Sequence, residues 1–558
     1  MKIWRFLPIA IGIQKKQYSL PMKEKHKLVL IIVIATLIRC FVATTIGLGN
    51  DEVYYLTYAQ HLQWNYFDHP PMVALLIRLT TFNLSFTNAL FVRLGAIIFG
   101  AINTYLIYVI CKGIKNEKAA LIASLLYTGS LYSSIIAGVF ILPDSPQLFF
   151  WLISVHFLIQ IVSDTTNHKK QNYNLLLFGL FSGLCIMSKI HGVFLWAGFG
   201  LYILCYRRDL LRNGSLYLAV LITVLIISPI LIWNIENHFI TYTYHSQRVT
   251  IKKEINPSSF FREFLGGVFY NNPINYFLIV CSLIAAWKNK IDMAKPVKRL
   301  LLLLSLPLIV LLLFISIYRD TLPHWSGPAF VTLLILASCY ISNETHIKEK
   351  FSSDEIKKWV PDNQNLNTFS EEIEKNTNSL LKKLVYSSCL LISTIVFSGI
   401  ILINFYPGTI GNKDEKSLGK KDFTLDMYNW EFYKNEFEKV RDNDIQSGRT
   451  KTTFILNNKW FPGAHIDNYI AQPLGLDFIA LGKLEDIHTY AWLNSYRKQL
   501  KIGDDAYFIT VSNSFSDPKE LYKKSFKKIN SPVIIKQFRN KKPTRNMLVY
   551  LLQDYSGE

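Results

Sequence analysis

Long apolar blocks recur between about residue 27 and about residue 404, and they restrict the fold more than any other feature of this chain. Each runs for about 16 to 24 residues, which is the length an α-helix needs to cross the hydrocarbon core of a bilayer. In lipid, every backbone polar group needs a partner inside its own segment or an adjoining one. Blocks of this length therefore predict a polytopic helical membrane protein. About eleven spans follow from the pattern, at roughly 27–47, 90–111, 119–141, 146–162, 174–187, 192–206, 216–233, 273–287, 300–317, 327–342 and 383–404.

The loops between the blocks sort by charge. Lys112, Lys115 and Lys118, then Lys169 and Lys170, then Arg207, Arg208 and Arg212, then Lys288 to Arg299 all fall on alternate connections. Cationic short loops stay cytoplasmic, so this face is predicted to be inside. The formal net charge of +20 is thereby explained by topology. Basic stretches interleaved with aromatics, as a nucleic-acid groove requires, do not occur. The seven cysteines (Cys40, Cys111, Cys185, Cys205, Cys281, Cys339 and Cys389) lie in or beside apolar blocks with no C-x-x-C spacing. They read as small core residues rather than a metal or disulfide framework. Residues 1–26 read as a cytoplasmic leader, with Met22 an alternative start to Met1. After about residue 405 charge rises and strand-like runs appear at Thr452 to Leu456, Phe478 to Leu481, Ala506 to Val511, Val533 to Phe538 and Met547 to Leu552. Helix-like stretches, Asn429 to Val440 and Asp517 to Phe526, lie between them. Residues 405–558 are thus expected to form a soluble mixed α/β domain outside the membrane, beside a membrane unit of 27–404 with an outer loop at 48–89.

The outer face collects the unusual residues. Gly49 to Arg78 carries Asp51, Glu52, Asp68 and His69 directly after an apolar run, where ionisable groups are costly and mark function by default. The bland reading of Asp51 is a helix cap with acids in the first turn, and it is compatible with a functional one. Asp144 heads another apolar block in Leu142-Pro143-Asp144-Ser145-Pro146-Gln147; its bland reading is again a helix start, favoured by Pro146. Ser188-Lys189-Ile190-His191-Gly192, Tyr244-His245-Ser246-Gln247-Arg248 and Leu322-Pro323-His324-Trp325 fall on the same face. For Lys189 and Arg248 the competing reading is an ion pair or a lipid headgroup contact. For Arg78 it is a membrane-interface anchor, and for Trp64, Tyr66, Phe67 and Trp325 an interfacial aromatic belt. His61, His69, His191, His245 and His324 have no spacing typical of metal ligands, so no metal site is assigned and a divalent cation is left open.

Asp51-Glu52, Tyr54-Tyr55 and Trp64-Asn65-Tyr66-Phe67-Asp68-His69-Pro70-Pro71 together resemble the first outer loop of bacterial membrane glycosyltransferases of the C-type (GT-C) fold. These are the protein-mannosyltransferase-like enzymes of family 39, which include the aminoarabinose transferases of lipid A. The segments around Asp144, Lys189 and His324 are similar to further outer loops of that family, and the resemblance covers about residues 25–410. It implies a transferase at the outer face of the cytoplasmic membrane, with a polyprenyl-phosphate-linked sugar as donor and lipid A, protein or a glycan as acceptor. On that resemblance Asp51 is the general base or the group that orients the acceptor, with Glu52 and Asp144 as the other catalytic candidates. His69, Arg78, Lys189, His191, His245, Gln247, Arg248, His324 and Trp325 are the candidates for the donor phosphate and substrate. His69 stands where some members place a Lys, so its charge depends on pH. The competing class is a transporter or flippase of lipid-linked intermediates, which would place polar breaks at mid-span in two matching halves. Phe461-Pro462-Gly463 and Asp486 to Trp492 in the last domain read either as a cover for the site or as core. The sugar and the acceptor are not legible.

Overall fold

The computed structural model describes residues 22–250, 254–342 and 366–557. Helices occupy all eleven expected segments, and among the described residues seven are long and apolar enough to cross a membrane unaided. These include α1 (Met22–Thr45), α4 (Ala89–Ile114), α6 (Asp144–Ser163), α9 (Gly214–Glu236) and α13 (Lys295–Ser316). The others are α14 (Gly327–Ile341), together with the turn that precedes it, and α15 (Leu366–Phe405). The pair α11 (Pro257–Tyr270) and α12 (Pro273–Trp287) makes an eighth if counted as one span, bent by 97°. Connecting helices are α2 (Asn50–Gln60), α3 (Met72–Thr80), α5 (Glu117–Thr128), α7 (His168–Ser188), α8 (Val193–Tyr206) and α10 (Ile240–Val249).

Local chemistry sets many helix starts. The side chains of Asn88, Asn116, Asn167, Asn213, Asn256 and Asn272 each accept a backbone N–H from the first turn of α4, α5, α7, α9, α11 and α12. Such caps satisfy donors that a helix leaves unpaired. Packing between spans relies on small residues. Gly179 and Gly183 of α7 let α9 approach so closely that a Cβ at Gly179 would stand 2.4 Å from the Ala219 carbonyl. Ser182 and Thr223 then meet at 3.2 Å across the contact. This is the small-residue mode of helix association in lipid. The outward faces stay apolar, as with Leu30, Leu37, Leu225, Ile232, Leu390 and Ile401.

Three expectations are corrected. The segment 119–141 is not one helix: α5 stops at Thr128, a π-turn follows at Tyr132–Ile136, and the chain returns irregularly to Asp144. The hydroxyls of Ser133 and Ser134 donate to the Tyr127 and Thr128 carbonyls at the end of α5. The long connection at 234–272 contains α10 and α11 rather than plain loop. Part of the polar loop expected at 343–382 is helical, because α15 begins at Leu366; residues 343–365 and the leader through residue 21 lie outside the described residues.

The last part of the chain builds a mixed sheet from β1 (Phe454–Asn457), β2 (Asp477–Ala480), β3 (Ala506–Val511), β4 (Phe526–Ile529), β5 (Val533–Arg539) and β6 (Lys542–Tyr555). The strand order is β2-β1-β3-β6-β4, with β5 also paired to β6. The pairs β1/β2 and β1/β3 are parallel, and all pairings of β6 are antiparallel. The expected helix from Asp517 to Phe526 ends at Tyr522, and β4 follows, a strand the pattern did not reveal. Helix α16 (Phe432–Gln446) packs on this sheet. The domain shares one apolar core with the segment between α1 and α4: Tyr54, Tyr58, Tyr66 and Ile77 are buried together with Trp430, Ile466, Tyr490 and Tyr507. Arg539 ties the domain to the end of α15 by donating to the carbonyls of Ile403 at 2.8 Å and of Gly408 at 2.7 and 3.0 Å.

Candidate active site

The site starts at the first turn of α2. The cap is Gly49, with extended backbone, rather than Asn50 or Asp51. Glu52 reaches back and accepts the Gly49 N–H at 2.9 Å, half of a capping box. Glu52 is buried, and Arg93 of α4 grips it with Nε at 2.8 Å and Nη2 at 2.6 Å. It also accepts the Ile141 N–H at 3.1 Å, so it joins α1, α2, α4 and the approach to Asp144. Arg93 donates as well to the carbonyls of Ala43, Ile46 and Gly47. Glu52 therefore faces Arg93 and the backbone.

Asp51 is the next residue along, rotated by about 100° round the helix from Glu52, and it faces different surroundings. The Asp51 side chain reaches solvent, with many protein atoms around it. Its pKa is pushed up to about 6, first by burial, then by the negative charges of Asp68, Asp426 and Glu52, with Lys189 opposing. Asp68 is held by the hydroxyls of Tyr58 and, at 3.3 Å, Tyr54. Its backbone carbonyl meets Nε2 of His245 at 2.8 Å. His69 lies between Tyr55 and His245, with ring centroids 5.7 and 6.2 Å away.

The second acidic centre is Asp144, at the start of α6. Lys189 Nζ donates to it at 2.8 Å and the Tyr132 hydroxyl at 3.2 Å. Asp144 and Lys189 are each about 3% exposed, so this is a buried ion pair that exists only because each partner is present. Gly327 makes the room: a Cβ there would fall 2.2 Å from the Tyr132 ring. His191 and His324 sit close enough to Asp144 for their charges to act on it. The His191 ring packs on Trp325 at 5.4 Å, and the His324 ring lies 6.1 Å from that of Tyr270. Nδ1 of His191 is buried with no hydrogen-bond partner among the described residues.

Thus Asp51, Asp144, Lys189, His191, His324 and Trp325 converge, with His69 and His245 on the Asp68 side. Arg78 does not join them. Its guanidinium donates to the Ala59 and Gln60 carbonyls at the end of α2 and to Asn83. Gln247 and Arg248 belong to α10, but their side chains lie outside the described residues. Among the described residues no group of three or more His, Cys, Asp and Glu is arranged to hold a metal ion.

Residues the sequence pattern did not single out complete the picture. Arg93 had a signal, an arginine inside an apolar span, which is rarely idle. Tyr132 and Asp426 had none, since each acquires meaning only through distant partners. The last domain docks on α2 and on the residue after α9. His465 Nε2 meets Asn50 at 2.9 Å, the Thr489 N–H donates to the Tyr54 hydroxyl at 3.2 Å, and Trp492 Nε1 donates to Asn237 at 2.6 Å.

Residues 68–233 match the family described as dolichyl-phosphate-mannose-protein mannosyltransferase. Over 299 residues the chain is 25% identical to the lipid A galacturonosyltransferase RgtD of Rhizobium johnstonii, a match that covers 51% of this chain and 59% of that protein. The fold is similar to that of ArnT from Cupriavidus metallidurans in the apo state, with TM-score 0.60 at 12% identity over 93% of this chain and 97% of that one. ArnT bound to undecaprenyl phosphate gives TM-score 0.59 at 13% identity with the same coverage, and at such identities the likeness is one of fold. Thus the chain has the fold of ArnT across nearly its whole length, and its segment 68–233, which includes Asp144 and Lys189, is similar to the mannosyltransferase family.

Proposed function

We propose that this protein transfers a sugar from a polyprenyl-phosphate donor to a lipid, protein or glycan acceptor at the outer face of the cytoplasmic membrane. The observation that carries the reading is the placement of Asp51, solvent-open with many protein atoms around it, within electrostatic reach of the buried Lys189–Asp144 pair. Asp51 takes the proton of an acceptor hydroxyl, or orients the acceptor if it is already an anion. The acceptor oxygen bonds to the anomeric carbon, and the bond from that carbon to the phosphate oxygen breaks. The electron pair leaves with the polyprenyl phosphate. An ammonium group has three donors and Asp144 engages one, so Lys189 retains donors for the departing phosphate. His191 and His324 line the same side. Glu52 and Arg93 act as positioning residues that fix the start of α2. The undecaprenyl phosphate held by ArnT in a solved structure supports the donor class, and the lipid A substrate in the name of RgtD supports a lipid acceptor. No comparison favours the transporter alternative, since all three point to glycosyltransferases.

The test is transfer in membranes with a panel of polyprenyl-phosphate sugars, comparing the native protein with Asp51→Asn. Transfer by the native protein and its loss in a correctly inserted variant are expected. Undiminished transfer by Asp51→Asn would remove Asp51 from the mechanism. A C-terminal tag accessible only from the cytoplasm would overturn the assigned face.

A further inference from the structure

The C-terminal domain does more than dock on α2. Its short 3-10 turn, Phe423–Met427, docks on the residues that lead into α2. The Gly47 N–H donates to the Met427 carbonyl at 3.1 Å, and a Cβ at Gly47 would meet that oxygen at 2.7 Å, so the two backbones touch. The same turn carries Asp426, whose carboxylate faces the Asn50 amide and stands near enough to Asp51 to repel it. Asn50 is itself oriented. Its Oδ1 only accepts, so the proton at 2.9 Å belongs to His465 Nε2, and the amide nitrogen is left for Asp426. His465 is buried and stacked on Trp430 at 4.2 Å, and burial holds it neutral, far below its usual range. Trp430 in turn donates to the Asp426 carbonyl at 3.0 Å and lies under the Arg545 guanidinium at 3.9 Å. Trp430, His465, Asn50 and Asp426 thus form one continuous chain of contacts ending beside Asp51.

We propose that Asp426 is a second carboxylate of the site, delivered by the C-terminal domain, which acts on the reaction through Asp51 as a positioning residue. It deepens the transferase reading and, for activity, rests on it. The groups facing Asp51 are Glu52, already neutralised by Arg93; Asp68, held by two tyrosine hydroxyls; Tyr55; Lys189 with its partner Asp144; and Asp426. Those facing Asp426 are Asn50, Arg545 and Asp422, the last bound by Arg539. Among the carboxylates facing Asp51, Asp426 is the one that the C-terminal domain supplies. Its own pKa is pushed up to about 6, chiefly by burial. The negative charge of Asp426 is one of those that keep Asp51 partly protonated.

The test has two arms on the full-length protein in nanodiscs. In the first, transfer is measured against pH for the native protein, Asp426→Asn and Asp426→Glu. Activity that needs ionised Asp51 rises through about pH 6. Removing the Asp426 charge moves that rising limb to lower pH by on the order of half a unit, while Asp426→Glu keeps the native midpoint. A lower rate with an unmoved midpoint would reduce Asp426 to a structural role and overturn the proposal. The second arm needs no transfer. Asp51 is raised in the folded state, so its contribution to stability is present in acid and lost as pH rises from its ordinary range through about 6. Asp51→Asn should therefore raise Tm at pH 7 relative to pH 4.5, and by less in the Asp426→Asn background. An equal gain in both backgrounds would overturn the coupling. If the native protein transfers none of the sugars, the transferase reading fails and the stability cycle alone decides the role of Asp426.

Discussion

Replacing Arg93 by methionine tests the frame on which the site stands. Arg93 is completely buried and makes two bonds to Glu52, at 2.8 and 2.6 Å, and three to the carbonyls that end α1, at 3.1, 2.9 and 2.7 Å. Without it the Glu52 carboxylate keeps only the backbone donors of Gly49 and Ile141. An uncompensated buried charge costs about 3–5 kcal/mol, and each orphaned carbonyl adds about 1 kcal/mol. That total is a large share of the roughly 5–15 kcal/mol that holds a folded protein together. Arg93→Met is therefore expected to lower Tm steeply, with loss of transfer in proportion to loss of folded protein. The double variant Arg93→Met/Glu52→Leu removes both charges together and should recover at least about 2 kcal/mol relative to the sum of the single changes. The assay is thermal unfolding in nanodiscs followed by tryptophan fluorescence, with transfer measured on the same samples. A native Tm for Arg93→Met, or strictly additive single and double variants, would refute the reasoning. Loss of transfer by Glu52→Gln at unchanged stability would return Glu52 to direct chemistry.

Lys189→Met leaves buried Asp144 with the Tyr132 hydroxyl alone, and it should cost about 3–5 kcal/mol and abolish transfer. Adding Asp144→Asn should restore Tm but not transfer, which separates the structural share of Lys189 from its share in phosphate binding. Gly327→Ala places a methyl group 2.2 Å from the Tyr132 ring, and about 1–3 kcal/mol of overpacking with reduced transfer is expected in unfolding and transfer assays. Arg539→Ala removes the bonds from the sheet to Ile403 and Gly408, so limited proteolysis should release the C-terminal domain faster than in the native protein. Unchanged cleavage kinetics would show that the shared apolar core alone anchors it.

Membrane spans were legible because the rule that creates them is local: a run of apolar side chains long enough for the bilayer is sufficient. Asp51 and Asp144 were legible for the complementary reason, since an acid beside such a run is conspicuous. The same uniformity hid the break after Thr128. Apolar residues resume after the π-turn, while Gly129 caps α5 and Tyr132 docks on Asp144. Strand β4 was hidden by its two adjacent lysines, which break the apolar-polar alternation of a strand whose identity comes from pairing with β6. Arg78 had the right charge in the right segment, but the end of α2 uses its donors.

The sequence by itself determined the membrane class and the mixed last domain. These depend on composition and on neighbours along the chain. Tertiary structure alone decided which acid is free. Adjacent residues on a helix point in different directions, so Glu52 meets Arg93 while Asp51 reaches solvent. It also decided that Lys189 completes Asp144 and that the far end of the chain brings Asp426 to Asp51. Electrostatic energy depends on distance through space, and no local pattern records that distance.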